Sequence, residues 1–165
     1  MERLWSPWRM AYVTSASGDS SGCVFCDTLA PERSDLILFR GLACYVVLNL
    51  YPYNNGHLMV IPNRHVSTLH ATTEDERGEL MRLTRHAEMA LTEAYKPQGI
   101  NVGINLGRAA GAGVLDHLHI HLVPRWSGDT NFISVIGETR VLPEELSATK
   151  QRLQPIFERL SKERS

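Results

Sequence analysis

The stretch Asp116-His117-Leu118-His119-Ile120-His121-Leu122-Val123-Pro124-Arg125-Trp126 carries three histidines that alternate with aliphatic residues. A period of two is the period of a β-strand, whose successive side chains point to opposite faces. Ile120, Val123 and the closing Pro124 also favour a strand over a helix. The stretch therefore predicts a strand with an apolar face packed inward and a face of three imidazoles available for chemistry. A solvated face or an adventitious metal site is the alternative interpretation.

The composition is that of an ordinary globular domain. The 165 residues are 43% hydrophobic and 21% charged, which predicts a single domain over residues 1–165 with a substantial core. A formal net charge of −1 argues against long nucleic acid or an anionic membrane as the partner, whereas a small anionic ligand needs only local positive charge. Apolar runs are shorter than the roughly 18 residues of a membrane span. Arg9 interrupts the apolar N-terminal stretch, so we expect a cytoplasmic location.

Residues 1–22 read as an N-terminal arm followed by a flexible loop. Trp5 and Trp8 lie in the arm, and a run of serine and glycine follows from residue 14. The two indoles must be buried on the same domain or on a partner subunit, and packing is favoured over ligand contact.

The sequence Cys23-Val24-Phe25-Cys26 has the spacing of a zinc knuckle, which supplies two of the four ligands of a tetrahedral site. Downstream, His65 and His117 are candidates for the other two. A redox pair or two idle buried thiols are the competing interpretations. Zinc is favoured because the sequence shows no thioredoxin-like unit around the pair, and because an odd total of three cysteines does not suit a disulfide framework.

Periodicity elsewhere predicts an α+β fold, with an antiparallel sheet of about five strands, one long helix and a C-terminal helix. Thr72 and Thr73 can cap a helix over residues 74–95, whose apolar stripe would cover one face of the sheet. A C-terminal helix is predicted over residues 143–161, kinked or split by Pro155. The predicted strands cover residues 36–39, 43–48, 57–61 and 100–106, the triad stretch, and a short last segment at 133–136.

The loop Gly107-Arg108-Ala109-Ala110-Gly111-Ala112-Gly113 leads into the triad strand. Small residues let backbone N–H groups approach an anion, and Arg108 adds positive charge. The loop joins two strands and lacks the Gly-Lys-Ser/Thr ending of a Walker loop. Beside three histidines, it predicts a phosphate contact.

These residues resemble the histidine-triad (HIT) superfamily of nucleotide hydrolases and transferases. The resemblance is carried by the triad at residues 117–123, by Val60-Ile61-Pro62-Asn63-Arg64-His65, and by Asn49 placed eight residues before His57. Trp-Ser-Pro-Trp-Arg near the start and Gly-Asp-Thr-Asn-Phe at residues 128–132 extend it over nearly the whole chain. The branch it resembles contains the diadenosine tetraphosphate phosphorylases and hydrolases.

The resemblance implies roles for particular residues. It implies a structural zinc on Cys23, Cys26, His65 and His117, and a homodimer. The sequence shows no cluster of magnesium ligands, but magnesium could arrive with a polyphosphate substrate. The catalytic residues would be His119, His121 and His57. The substrate-binding residues would be Asn49, Asn105, Arg108, Gly111, Ala112, Gly113 and Trp126, with Asn49 on the ribose. Trp126 would stack on a second nucleoside or cap the core, and both interpretations remain open.

The implied chemistry is attack on the α-phosphorus by His119, whose imidazole is mostly neutral near pH 7 at its ordinary pKa of about 6.5. A nucleotidyl-histidine would form, and a second acceptor would release the mononucleotide. His121 and His57 would donate hydrogen bonds to the same phosphate. Gly113 and Val114 depart from the family pattern, in which side chains contact phosphate there, so the acceptor is left as water or phosphate. A nucleoside phosphoramidase and a non-enzymatic nucleotide-binding module are the alternatives.

Overall fold

The computed structural model of this chain describes residues 22–129 and 144–162. Three predictions fall outside them: the N-terminal arm with its two tryptophans, the short strand at 133–136, and the start of the C-terminal helix at residue 143. Within the described residues no helix is both long enough and apolar enough to cross a bilayer.

Five antiparallel strands form one sheet, as predicted, and they lie in the order β1-β2-β3-β5-β4. The strands are β1 (Ile37–Arg40), β2 (Cys44–Leu48), β3 (Leu58–Pro62), β4 (Gly99–Ile104) and β5 (Ile120–Arg125). Because β5 inserts between β3 and β4, His121 pairs with Met59 on one side and with Gly103 on the other. Gly103 has no side chain, so space is left open beside the His121 ring.

The long helix lies where the sequence predicted it. The helices are α1 (Val24–Thr28), α2 (Glu74–Tyr95) and α3 (Leu146–Lys162). Thr73 caps α2 through a reciprocal capping box with Glu76. At the other end Lys96 adopts a left-handed conformation with φ of 45° and Pro97 follows, so the helix stops. The apolar stripe of α2 packs on the face of the sheet that carries Leu122 and Val46, and α3 covers the same face.

Pro155 lies inside α3, which runs without interruption over 17 residues. Of the two predicted effects of Pro155, the splitting of this helix is therefore wrong, and a kink stays a prediction. A proline deprives the carbonyl four residues earlier of its partner. Here that carbonyl belongs to Gln151, which is exposed, so water can satisfy it.

The triad strand is shorter than predicted. β5 begins at Ile120, so His117 and His119 precede it. The ladder between β3 and β5 cannot continue, because Pro62 lacks an N–H and the N–H of Leu118 donates to the carbonyl of Val66 at 2.6 Å. The alternation itself is confirmed, since the aliphatic residues between the histidines all enter the main core.

Candidate functional site

The histidines lie on the face of the sheet opposite α2. There Phe25 from α1 packs in a second apolar cluster with Tyr45 and Met59. The Phe25 ring touches His117 with a centroid distance of 5.6 Å and His119 with 5.0 Å. His117 and His119 are 1% and 4% exposed, so two of the three rings on the predicted imidazole face are buried.

The four predicted zinc ligands lie together. Cys23 precedes α1 and Cys26 lies in its first turn. Their sulfurs face the imidazoles of His65, which follows β3, and His117, which precedes β5. Sγ of Cys23 is 3.2 Å from Nδ1 of His117, and Sγ of Cys26 is 3.4 Å from Nδ1 of His65. All four ligand atoms lie within 4.8 Å of one another. Two ligands of a tetrahedral zinc, one sulfur and one nitrogen, are separated by about 3.6 Å, so the donor set fits this ion.

The second nitrogen of His117 supports the same interpretation. Its Nε2 lies 2.9 Å from the carbonyl oxygen of Pro62, which can only accept a hydrogen bond. The proton of the neutral ring is therefore on Nε2, and Nδ1 presents a lone pair to the two cysteines, as metal-bound histidines require. Burial and the neighbouring Cys23 raise the pKa of the Cys26 thiol. A divalent cation between the sulfurs would reverse that effect and hold them as thiolates.

His119 is held with one nitrogen available. Its Nδ1 donates to the carbonyl oxygen of His117 at 2.8 Å, which leaves an unprotonated Nε2. Burial lowers the pKa of His119 against the opposing effect of that hydrogen bond, so the neutral ring is favoured. The ring stands perpendicular to that of His121 at a centroid distance of 4.8 Å.

His57 and His121 form a pair. Nε2 of His57 lies 3.0 Å from Nδ1 of His121, and the ring of Tyr53 covers both, with centroid distances of 4.7 Å and 6.2 Å. Asn49 is buried beside them, with its side-chain nitrogen 3.3 Å from Nδ1 of His57 and its oxygen accepting from the N–H of Tyr51. The structure thus brings Asn49 to the predicted histidines.

A cavity of about 360 Å³ opens beside His121, between β4, β5 and the loop before β3. Its lining includes Tyr53, Asn101, Gly103, Asn105, His121 and Arg125. Asn105 therefore shares a cavity with a predicted catalytic histidine. Trp126 points elsewhere, because its ring meets that of Tyr95 edge-on at 6.5 Å at the end of α2. That contact favours the packing interpretation of Trp126.

The glycine loop forms a tight turn around Arg108–Ala110. Gly107 and Gly111 adopt φ of 83° and 85°, which only glycine adopts easily. The N–H groups of Gly111 and Ala112 donate within the loop, to the carbonyls of Arg108 and Gly107. Of the three amides predicted to bind phosphate, that of Gly113 therefore remains the best placed to do so.

Sequence reasoning missed three groups that shape the site: the Phe25 ring, the Tyr53 backbone N–H and the Pro62 carbonyl. Phe25 could have been found, since it lies between the two cysteines. A backbone group leaves no signal in the sequence, because every residue except proline carries both an N–H and a carbonyl.

Comparison with known proteins gives one family. A family model described as the HIT domain matches residues 30–128. An AP-4-A phosphorylase of Mycobacterium tuberculosis is 45% identical over 163 residues, covering 93% of this chain and 83% of that protein.

Solved structures share the fold. A hypothetical histidine triad nucleotide-binding protein of Sulfolobus tokodaii matches with a TM-score of 0.70 and 28% identity, covering 84% of this chain and 94% of that one. A zinc-bound histidine triad family protein of Mycobacterium smegmatis also has a TM-score of 0.70, with 23% identity and coverage of 88% and 99%.

Proposed function

Because this chain belongs to the HIT domain family and is an enzyme of that family, we propose that it cleaves dinucleoside polyphosphates of the diadenosine tetraphosphate type at the α-phosphate. The observation that carries the proposal is the neutral His119 ring, whose Nδ1 proton is held by a backbone carbonyl. Similarity to a named AP-4-A phosphorylase supports the substrate class.

In the first displacement, Nε2 of His119 attacks the α-phosphorus. An N–P bond forms and the bond from phosphorus to the bridging oxygen breaks, so ATP leaves when the substrate is diadenosine tetraphosphate. His119 needs no separate base, because Nε2 carries no proton. His121, whose Nδ1 accepts from His57, stands beside it and donates a hydrogen bond to a phosphate oxygen as negative charge moves to the leaving group.

In the second displacement an acceptor oxygen attacks the phosphorus of the nucleotidyl-histidine and the N–P bond breaks. Water yields AMP, and inorganic phosphate yields ADP. The electron pair of the broken bond returns to Nε2, so the ring is restored. The acceptor releases its proton to solvent.

We assign the substrate contacts as follows. Asn49 binds a ribose hydroxyl beside His57, Asn105 and the amide of Gly113 bind phosphate oxygens, and Arg108 adds positive charge from the exposed edge of the loop. Asn49 contacts the body of the substrate, not the reacting phosphorus, so its loss weakens binding first. Gly111 and Ala112 shape the turn that presents Gly113.

Zinc on Cys23, Cys26, His65 and His117 is proposed as structural. The ion would join α1 to the segment after β3 and to the start of the triad, which fixes the carbonyl of His117 that orients His119. Bound there, it supplies folding energy, not a step of the reaction.

A homodimer is proposed through β4. This strand forms one edge of the sheet formed by the described residues, and Val102 on it is 52% exposed. An edge strand with exposed apolar residues is a ready surface for pairing. Magnesium arriving with the substrate and a cytoplasmic location stay predictions.

Trp126→Ala tests recognition of the second nucleoside. Because the indole packs on Tyr95, we expect a lower melting temperature and equal, small losses of affinity for diadenosine tetraphosphate and for a substrate with one nucleoside. Calorimetric titration with both ligands measures this. A loss of roughly 1–3 kcal/mol for the dinucleotide alone is the signature of stacking instead, and would restore Trp126 to the substrate site.

One assay tests the proposed function. Diadenosine tetraphosphate is incubated with the full-length protein with and without inorganic phosphate, and the products are separated by chromatography. AMP and ATP without phosphate, or ADP and ATP with it, support the proposal and identify the acceptor. Turnover of an adenosine phosphoramidate with none of the dinucleotide would replace it with the phosphoramidase alternative.

A further inference from the structure

A backbone N–H donates to one particular nitrogen of His57. The backbone N–H of Tyr53 lies 3.1 Å from Nδ1, and a backbone N–H can only donate. The side-chain nitrogen of Asn49 lies 3.3 Å from Nδ1 and 3.4 Å from Nε2, so it contacts the ring without selecting either nitrogen. Nδ1 must therefore accept, and in the neutral ring of His57 the proton lies on Nε2.

His57 in turn determines which ring nitrogen of His121 carries the proton. Nε2 of His57 is 3.0 Å from Nδ1 of His121. Since Nε2 carries the proton it donates, Nδ1 of His121 accepts, and the proton of the neutral His121 ring lies on its own Nε2. That ring lines the 360 Å³ cavity. The backbone N–H of Tyr53 thus determines that His121 presents its Nε2–H to a ligand in the cavity.

Asn54 holds this backbone group in place. Its side-chain nitrogen donates to the carbonyl of Pro124 at 2.9 Å and to Oδ2 of Asp129 at 2.8 Å. Pro124 belongs to β5, the strand of His121. Arg125 donates two hydrogen bonds to the carboxylate of Asp129, at 2.6 Å and 2.9 Å. Asn54 also lines the cavity, but both hydrogens of its amide are used on protein atoms. The turn that carries the N–H of Tyr53 is thereby tied to β5, the strand that carries Nδ1 of His121.

We propose that Asn54 is a positioning residue that fixes the tautomers of His57 and His121, so that the Nε2–H of His121 is presented to an anionic oxygen in the cavity. The identity of that oxygen, on the phosphate under attack, rests on the proposed function. The tautomers do not rest on it. A donor fixed before the substrate binds needs no reorganisation as charge develops, which is why such a group lowers the barrier.

Long-range proton–nitrogen correlation spectra of the uniformly ¹⁵N-labelled full-length protein test the assignment directly. At about pH 8, where ordinary histidines are neutral, the spectra report which ring nitrogen carries the proton. We expect Nε2–H in His57 and His121 and Nδ1–H in His119, with signals assigned from His57→Gln and His121→Gln. Nδ1–H in wild-type His57 or His121 would overturn the proposal.

Asn54→Ala tests the tether. We expect mixed tautomers of His57 and His121, and a kcat about 10- to 100-fold lower with KM within about threefold, since the substrate contacts remain while the donor is misplaced. The matched control is Asn63→Ala. Asn63 donates to the carbonyl of Leu42 at 3.1 Å at the opposite end of β3, and its loss should change neither tautomers nor kcat.

The outcomes separate the two proposals. Unchanged tautomers in Asn54→Ala would overturn the role of Asn54, whatever the activity. If that variant does not fold, the wild-type spectra still decide the tautomers, and Asn54→Leu, which is close in size and cannot donate, takes its place. Expected tautomers in a wild-type protein that turns over no dinucleotide would contradict the proposed function alone.

Discussion

Replacement of His119 by alanine is expected to lower kcat for diadenosine tetraphosphate by roughly four to six orders of magnitude, as for other enzymes that lose their covalent nucleophile. Nucleotide binding should stay within about tenfold, because the ribose and phosphate contacts are made by other residues. Steady-state turnover and calorimetric titration with a product nucleotide measure the two effects separately.

Two further variants make this result specific. His119→Asn keeps a polar group of similar length without a nucleophilic nitrogen, and should be as inactive as the alanine variant. His70→Ala removes an exposed histidine from the short turn Leu69–Ala71 and should keep wild-type turnover. Near-normal activity of His119→Ala would place the nucleophile elsewhere.

Changing Cys23 and Cys26 together to serine is expected to abolish zinc binding and to lower the free energy of unfolding by at least about 3 kcal/mol. For a chain of this length that corresponds to roughly 6–12 °C in melting temperature. The reason is geometric: a bound ion would join α1 to residues far away in the sequence, His65 and His117. Elemental analysis and thermal unfolding measure the two quantities.

The third cysteine provides the control. Cys44 is fully buried in β2, where burial above all raises its thiol pKa to about 12, so it stays protonated and is no ligand. Cys44→Ala should therefore keep one zinc per chain while losing some core packing. Wild-type protein purified without chelators that contains no zinc, or a double serine variant with an unchanged melting temperature, would return Cys23 and Cys26 to the interpretation of idle thiols.

Local sequence rules predicted the elements that depend on local interactions. The ends of α2 follow from Thr73 and Glu76 at one end and Pro97 at the other, which act within a few residues of themselves. The alternation of the triad stretch correctly assigned its aliphatic residues to the core, because a period of two survives even where the ladder is broken. The convergence of two cysteines with His65 and His117 came from ligand spacing together with family resemblance.

The features that could not be predicted from the sequence depend on solvent exposure or on groups far away along the chain. β5 starts at Ile120 because Pro62, about sixty residues earlier, ends the pairing. α3 tolerates Pro155 because the carbonyl it leaves unpaired faces solvent. The tautomers of the histidines depend on backbone groups at Tyr53, Pro62 and His117, and the sequence does not show where such groups point.

The central claim is that the α-phosphorus undergoes two successive displacements through His119, and the stereochemical course at phosphorus tests it most directly. Diadenosine tetraphosphate with sulfur at one α-phosphorus, in a single configuration, is turned over in ¹⁸O-labelled water or with inorganic phosphate as acceptor, and the configuration of the thio-nucleotide product is determined. Each in-line displacement inverts phosphorus. Two displacements predict overall retention, whereas inversion would show direct attack by the acceptor and contradict a nucleotidyl-histidine intermediate.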